Sequence, residues 1–212
     1  MRRARLPAIL LGLYAAVLAA TAWRPYDPFT WFLEVLPALI AIPVLVLTAR
    51  RWPLTDLLYV LLFVHGTILA VGGHYTYARV PLGFWMEDWF GFTRNHYDRV
   101  GHFAQGFIPA MVARELLLRF AGVRRGAWLG ILAVCSALAV SALYELLEWG
   151  VAEVTGTAAE DFLGTQGDAW DTQKDIAMAL LGALAALMAM PRSHDRSLAK
   201  LARRPVAHAP AG

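Results

Sequence analysis

The chain is short of cysteine, of charge and of polar breaks. Cys135 stands alone inside an apolar run, so one chain can form neither a disulfide framework nor a thiolate metal cluster. It reads as a small packing residue. Charged residues make up 17% of the sequence, against roughly 25% in a soluble domain. No polar linker divides the apolar blocks, so one domain is expected over 1–190. The segment 191–212 is rich in Arg, Ala and Pro without an apolar period, and is expected to be a disordered basic tail. Also missing are a G-x-S-x-G elbow, a Walker phosphate loop, a dinucleotide fingerprint and an HExxH metal spacing. No basic patch interleaved with aromatics supports nucleic-acid binding, and no inverted repeat of the transporter kind is visible.

What is present is apolar sequence in blocks. Hydrophobic residues make up 58% of the chain, with mean hydropathy +0.50. Six stretches, at about 6–23, 31–49, 56–74, 101–120, 127–150 and 173–190, approach or reach the roughly 17–25 residues that a span requires. The expected fold is all-α: a polytopic membrane bundle of about six transmembrane helices. The stretch at about 101–120 is the most polar. Its Arg114 and Glu115 are expected to snorkel toward the headgroups.

Loop charge sets the expected orientation. With both termini cytoplasmic, thirteen of the nineteen Lys and Arg residues fall on the inner side, among them Arg50, Arg51, Arg124, Arg125 and Arg192. Five fall outside: Arg24, Arg79, Arg94, Arg99 and Lys174. That split follows the positive-inside rule, so the pI of about 9.2 reflects topology. Residues 1–23, with a basic start and an Ala-rich end, also resemble a cleaved signal peptide. Their long apolar core favours a retained helix. The aromatic loop at 75–100 contains Phe84 to Phe90, expected to be a short interfacial helix or a lid.

Most of the sixteen acidic residues gather on the outer side, many in three motifs near span ends. These are Arg94-Asn95-His96-Tyr97-Asp98-Arg99-Val100-Gly101-His102, then Tyr144-Glu145-Leu146-Leu147-Glu148, then Gln166-Gly167-Asp168-Ala169-Trp170-Asp171 running on to Asp175. Ionisable groups beside hydrocarbon are costly and signal function. Asp98 and His102 share a helix face if a helix begins near Asp98; Asp98 equally suits a first-turn cap. Glu145 and Glu148, three apart near a helix end, need a cation, a shared proton or an Arg partner unless they face solvent. Asp168, Asp171 and Asp175 form one stripe if a helix begins near Asp168. Consecutive antiparallel spans bring these groups to one depth. His74 could join them, whereas His65 lies deeper and reads as a hydrogen-bonded core histidine.

The chemistry of this set is acid/base or metal binding. His96, Asp98, His102, Glu145, Glu148, Asp171 and Asp175 are the candidate catalytic groups. His102, Glu145, Glu148, Asp171 and Asp175 are candidate ligands for a divalent metal of undetermined element. Arg94 and Arg99, with His74, Gln166 and Asp168, are candidates for binding an anionic headgroup.

Those motifs resemble a known family. His74-Tyr75-Thr76-Tyr77, Arg94 through His102, and Gly164-Thr165-Gln166-Gly167-Asp168-Ala169-Trp170-Asp171-Thr172-Gln173 are similar to the YjdF-like bacterial inner-membrane proteins, over roughly residues 10–190. That resemblance implies a multi-pass inner-membrane protein and supplies no reaction. A weaker resemblance is to VanZ-like membrane proteins. It rests on Asp98-Arg99-Val100-Gly101-His102-Phe103, Glu145-Leu146-Leu147-Glu148, and Asp171 through Asp175 with Gly182. VanZ-like proteins are associated with the cell envelope, which implies an amphiphilic envelope substrate. The leading expectation is thus an outer-face His/carboxylate site acting on or binding a lipid-linked molecule in the bilayer. A proton-coupled carrier and a structural or assembly factor are the alternatives. No motif encodes the oligomeric state.

Overall fold

A computed structural model describes residues 5–156, 162 and 165–203, and these contain helices and no strand. The helices are α1 Arg5–Ala22, α2 Pro28–Thr48, α3 Asp56–Tyr75, α4 Pro81–Phe90, α5 Tyr97–Arg119, α6 Ala127–Thr155, α7 Asp171–Ala189 and α8 Pro191–Ala202. Local signals set several ends. Asp27 caps α2 by accepting from Thr30 N at 2.8 Å, with Pro28 in the first turn. Thr55 caps α3 through Leu58 N. Gly156, at φ 62°, ends α6.

Five helices, α1, α2, α3, α6 and α7, are long and apolar enough to cross a membrane. The sixth expected span, α5, has the length at 23 residues but is too polar to qualify by composition. It forms the centre of the bundle, packed against α3, α6 and α7, while α1 and α2 lean on α3. This is how a polar helix is tolerated: its polar side chains face other helices instead of lipid. Tyr14 docks α1, with its hydroxyl donating to Gly66 O at 3.3 Å. Where α5 crosses α7 the backbones nearly touch. A Cβ at Gly106 would collide with Ala179 O, and one at Gly182 with Phe103 O. Small residues at the seam supply van der Waals packing where lipid offers no hydrophobic drive. Leu54, Leu58, Met111 and Ala186 form an apolar core at the other end of α5.

Three expectations change. Arg114 and Glu115 do not snorkel; they are 5% and 0% exposed. Glu115 accepts from Thr55 Oγ1 at 2.7 Å and meets His194 Nε2 at 2.9 Å. The segment from Pro191 to Ala202 is helical where a disordered tail was expected. His194, Leu198 and Leu201 recur at helical spacing and turn inward, a pattern the basic composition masks. Residues 204–212 of that tail lie outside the described residues, as does Gly164. Finally, α6 runs past 150 to Thr155. Glu145 and Glu148 therefore sit well inside it instead of on its last turns.

Candidate functional site

The site forms where the first turns of α5 and α7 meet the C-terminal half of α6. Helix α5 starts one residue before Asp98, so Asp98 and His102 stack on one face. His102 Nε2 lies 3.3 Å from Asp98 Oδ1 and 3.7 Å from Asp175 Oδ1. On its other edge His102 Nδ1 is 3.6 Å from Glu145 Oε1. That distance leaves both atoms buried without a hydrogen-bond partner. One imidazole thus stands among three carboxyls from three helices.

Arginines from the α5 side neutralise the acids of α7. Arg99 spreads its fork over two carboxyls, Nη1 on Asp175 and Nη2 on Asp171. The i, i+4 spacing of those acids places both on the face that the guanidinium meets. Arg94 Nη1 donates to Asp171 Oδ1 and to Thr165 O, both at 2.9 Å. Asp168 does not share the helical stripe. It sits in the turn before α7, accepts from Trp170 N at 3.0 Å, and is reached by Lys174 Nζ at 2.6 Å. The Lys174 hydrogen bond, then the one from Trp170, hold its carboxyl below the usual aspartate range. Gln166 exchanges two hydrogen bonds with the Asn95 backbone, at 3.1 and 2.9 Å, and clips the two loops together. Asn95 in turn donates to Val80 O at 3.0 Å and presses on Gly83, tying α4 to the site.

His96 precedes the first residue of α5 and packs edge-on against Phe92. Burial, then the Arg94 and Arg99 charges, lower its pKa. His74 is elsewhere: its Nδ1 lies 2.8 Å from Thr21 O at the end of α1.

Behind His102 lies a cavity of about 90 Å³, lined by Glu34, His65, Tyr77, Asp98, His102, Gln105, Tyr144 and Glu148. Its volume admits a few waters. Glu148 faces this cavity and Glu145 faces His102, so the two acids of α6 serve different walls. Four liners, Glu34, Tyr77, Gln105 and Tyr144, are absent from the sequence-based site. Glu34 had a readable signal, an acid one turn and a half into an apolar span. Its bulk passes α3 at Gly73, where a Cβ would stand 2.9 Å from Glu34 Cβ. His65 is not the hydrogen-bonded core residue expected, since its Nε2 is buried without a partner.

Among the described residues, six buried carboxyls (Glu34, Asp98, Glu145, Glu148, Asp171, Asp175) gather here, and two guanidiniums meet three of them, Asp98, Asp171 and Asp175. Protons or a cation must make up the difference. Among the described residues, Asp98, His102 and Asp175 can each place one donor atom within 4.8 Å of the others, a grouping that fits a metal ion. Glu145, Glu148 and Asp171 of the wider expected ligand set fall outside that grouping. Arg99 already occupies Asp175, so an ion there competes with a fixed positive charge.

A groove of about 520 Å³ opens beside the site between α4, α5 and α7. Met86, Phe92, Val100, Phe103, Ala177 and Met178 wall it, and His96, Arg99 and Lys174 mark its charged end.

The chain resembles known proteins over nearly its whole length. Residues 6–196 match a family described as "Predicted membrane protein (DUF2238)". The chain is 52% identical over 182 residues to the "Inner membrane protein YjdF" of Escherichia coli (strain K12), covering 86% of this chain and 87% of that protein. No solved structure matches. A bundle with five apolar helices long enough to cross a membrane and a match of this extent agree: the chain belongs to the DUF2238 family of multi-pass inner-membrane proteins.

Proposed function

We propose that this protein binds, and acts on, an amphiphilic envelope molecule at a His/carboxylate site on the outer face of the membrane. The observation that carries this reading is Arg99, which lines the apolar groove and also grips Asp171 and Asp175. An acyl or polyprenyl chain fits the Met86–Phe103–Met178 wall, and an anionic headgroup fits the end held by Arg99, Lys174 and His96. A headgroup seated there lies next to the Asp98–His102 pair, with His102 able to take or give a proton and Asp98 orienting it. The loop-charge asymmetry supports the outer face, and the VanZ-like pattern of Asp98, His102, Glu145 and Asp171 supports an envelope substrate. If a divalent ion binds, Asp98, His102 and Asp175 hold it, and it supplies charge to polarise a headgroup oxygen.

A carrier needs a polar route onward from the site. Leu58 and Met111, both 0% exposed, fill the bundle beyond it, which favours the binder or enzyme over the proton-coupled carrier. The test is lipid extraction and elemental analysis of purified wild type, Arg99→Gln and His102→Ala, with complementation of a deletion strain. The expected result is an amphiphile retained by wild type and lost in Arg99→Gln, with His102→Ala failing to complement. Full complementation by a folded His102→Ala, Glu145→Ala double variant overturns the reading and leaves an assembly factor.

A further inference from the structure

The far end of the bundle carries a second charged surface, on α8. Taking about 100° per residue, Arg192, Arg196, Lys200 and Arg203 fall within an arc of roughly 80°. All four are exposed. His194, Leu198 and Leu201 lie on the opposite arc and turn inward. The one acid of α8, Asp195, is already engaged by Arg114 Nη2 at 2.9 Å and by Arg125 at 3.3 Å. The cationic stripe therefore has no internal counter-charge on its own helix.

A buried network fixes the stripe in place. Arg114 Nη1 meets His194 Nδ1 at 2.6 Å, and His194 Nε2 meets Glu115 Oε2 at 2.9 Å. A guanidinium only donates, so Nδ1 accepts and Nε2–H donates to Glu115. Both His194 and Glu115 are 0% exposed. A short helix joined by a flexible hinge would lose ordering entropy on binding; this one is already held to α5.

Its depth is set by neighbours. Arg119, which also holds Glu115, lies 4.9 Å over the Phe120 ring. Phe120, Trp52 and Trp128 are 51%, 51% and 72% exposed at this end, the signature of a headgroup-level aromatic belt. The first turn of α8 is tied to this end by Asp195, which meets Arg125, three residues before Trp128; cations at headgroup depth would act on lipid phosphates within a Debye length, about 8 Å.

We infer that α8 is a preformed docking surface for anionic phospholipid headgroups. The class is set by charge complementarity: several fixed cations at headgroup depth match lipid phosphodiesters that carry a net negative charge, and not zwitterionic ones. The inference stands apart from the site on the opposite end of α5.

The test uses the full chain in nanodiscs of equimolar phosphatidylcholine and phosphatidylglycerol. Lipids that stay bound after detergent extraction are counted by mass spectrometry. Wild type is expected to retain phosphatidylglycerol preferentially, and an Arg192→Gln, Arg196→Gln, Lys200→Gln, Arg203→Gln variant to lose about tenfold of that enrichment. The variant leaves His194, Glu115 and Arg114 intact, so circular dichroism should match wild type. Should it misfold, wild-type enrichment is followed from about 0.1 M to about 1 M salt, where screening should erase it. Equal retention of the two lipids by wild type, enrichment unchanged in a folded variant, or enrichment indifferent to salt overturns the inference. Acidic proteins as the true partner would show as the second of these results.

Discussion

Tyr144 donates its hydroxyl to Glu34 Oε2 at 3.0 Å, joining α6 to α2 across 110 positions of sequence. The bond gives a carboxyl that is 3% exposed one of its donors. It also forms part of the wall of the cavity behind His102.

Tyr144→Phe removes that donor and leaves Glu34 short of a partner in the interior. The expected loss is about 1–3 kcal/mol, read as lower resistance to thermal or SDS unfolding in detergent. Glu34→Gln still accepts from Tyr144 and should cost less than Tyr144→Phe; an equal or larger loss would show that the carboxylate charge, not the bond, matters.

Arg99→Ala should be among the most damaging single changes. It uncovers Asp171 and Asp175 together, and breaking a buried pair from one side costs about 3–5 kcal/mol. Arg99→Lys keeps the charge but cannot fork over two carboxyls, so it should fall between wild type and Arg99→Ala in unfolding assays. A near-neutral Arg99→Ala would mean the two aspartates are held in another way.

Gly106→Ala and Gly182→Ala both push a methyl into a backbone carbonyl across the α5–α7 seam. Overpacking of this kind costs on the order of 1–3 kcal/mol or more. Because α5 carries Asp98 and His102 while α7 carries Asp175, the separation should also break the His102 cluster. Gly12→Ala meets nothing within 4 Å and serves as the neutral control. Membrane-fraction abundance and unfolding midpoint should drop for the first two alone.

Docking of α8 should depend on acid. Burial raises the Asp195 pKa, but hydrogen bonds from Arg125 and Arg114 outweigh it and hold it below its ordinary 3.8. A depressed folded value means the stabilisation is complete above the ordinary value and is lost as pH falls through the folded one. Hydrogen exchange of Pro191–Ala202 should therefore stay slow at neutral pH and quicken only below about pH 4. Asp195→Asn should remove that acid step and leave exchange in α1 unchanged.

Much of the bundle can be read from the chain because hydrocarbon imposes a minimum length and polarity on what crosses it. The apolar blocks at 6–23, 31–49, 56–74 and 173–190 match helices to within a few residues. Asp98 with His102, and Asp171 with Asp175, were readable as i, i+4 pairs once a helix start was placed. Glu34 stands out as an acid in an apolar span, but α2 is apolar nearly all round, so its periodicity does not mark which face turns inward or which groups Glu34 meets. Its rotation is decided by contact with α3 at Gly73, which is a tertiary fact. The Arg partner that the spacing of Glu145 and Glu148 calls for is not supplied by Arg94 or Arg99, which meet Asp168, Asp171 and Asp175. Which acids an arginine reaches depends on helix separation, and the Gly106–Gly182 seam draws α7, not α6, closest to α5. The C-terminal helix was hidden by its composition, since three inward residues in twelve make a weak apolar signal among many cations.

The apolar core of Leu54, Leu58, Met111 and Ala186 has an electrical consequence. It acts as an insulator between the two charged ends of α5, which stand about 24 Å apart from Asp98 to Arg114. A transmembrane voltage would fall mainly across such an apolar layer, where a full crossing by one charge is worth about 2.3 kcal/mol per 100 mV. A proton entering the His102 cluster from its own side traverses little of that field. Its occupancy should follow the pH of that compartment and be nearly blind to membrane potential.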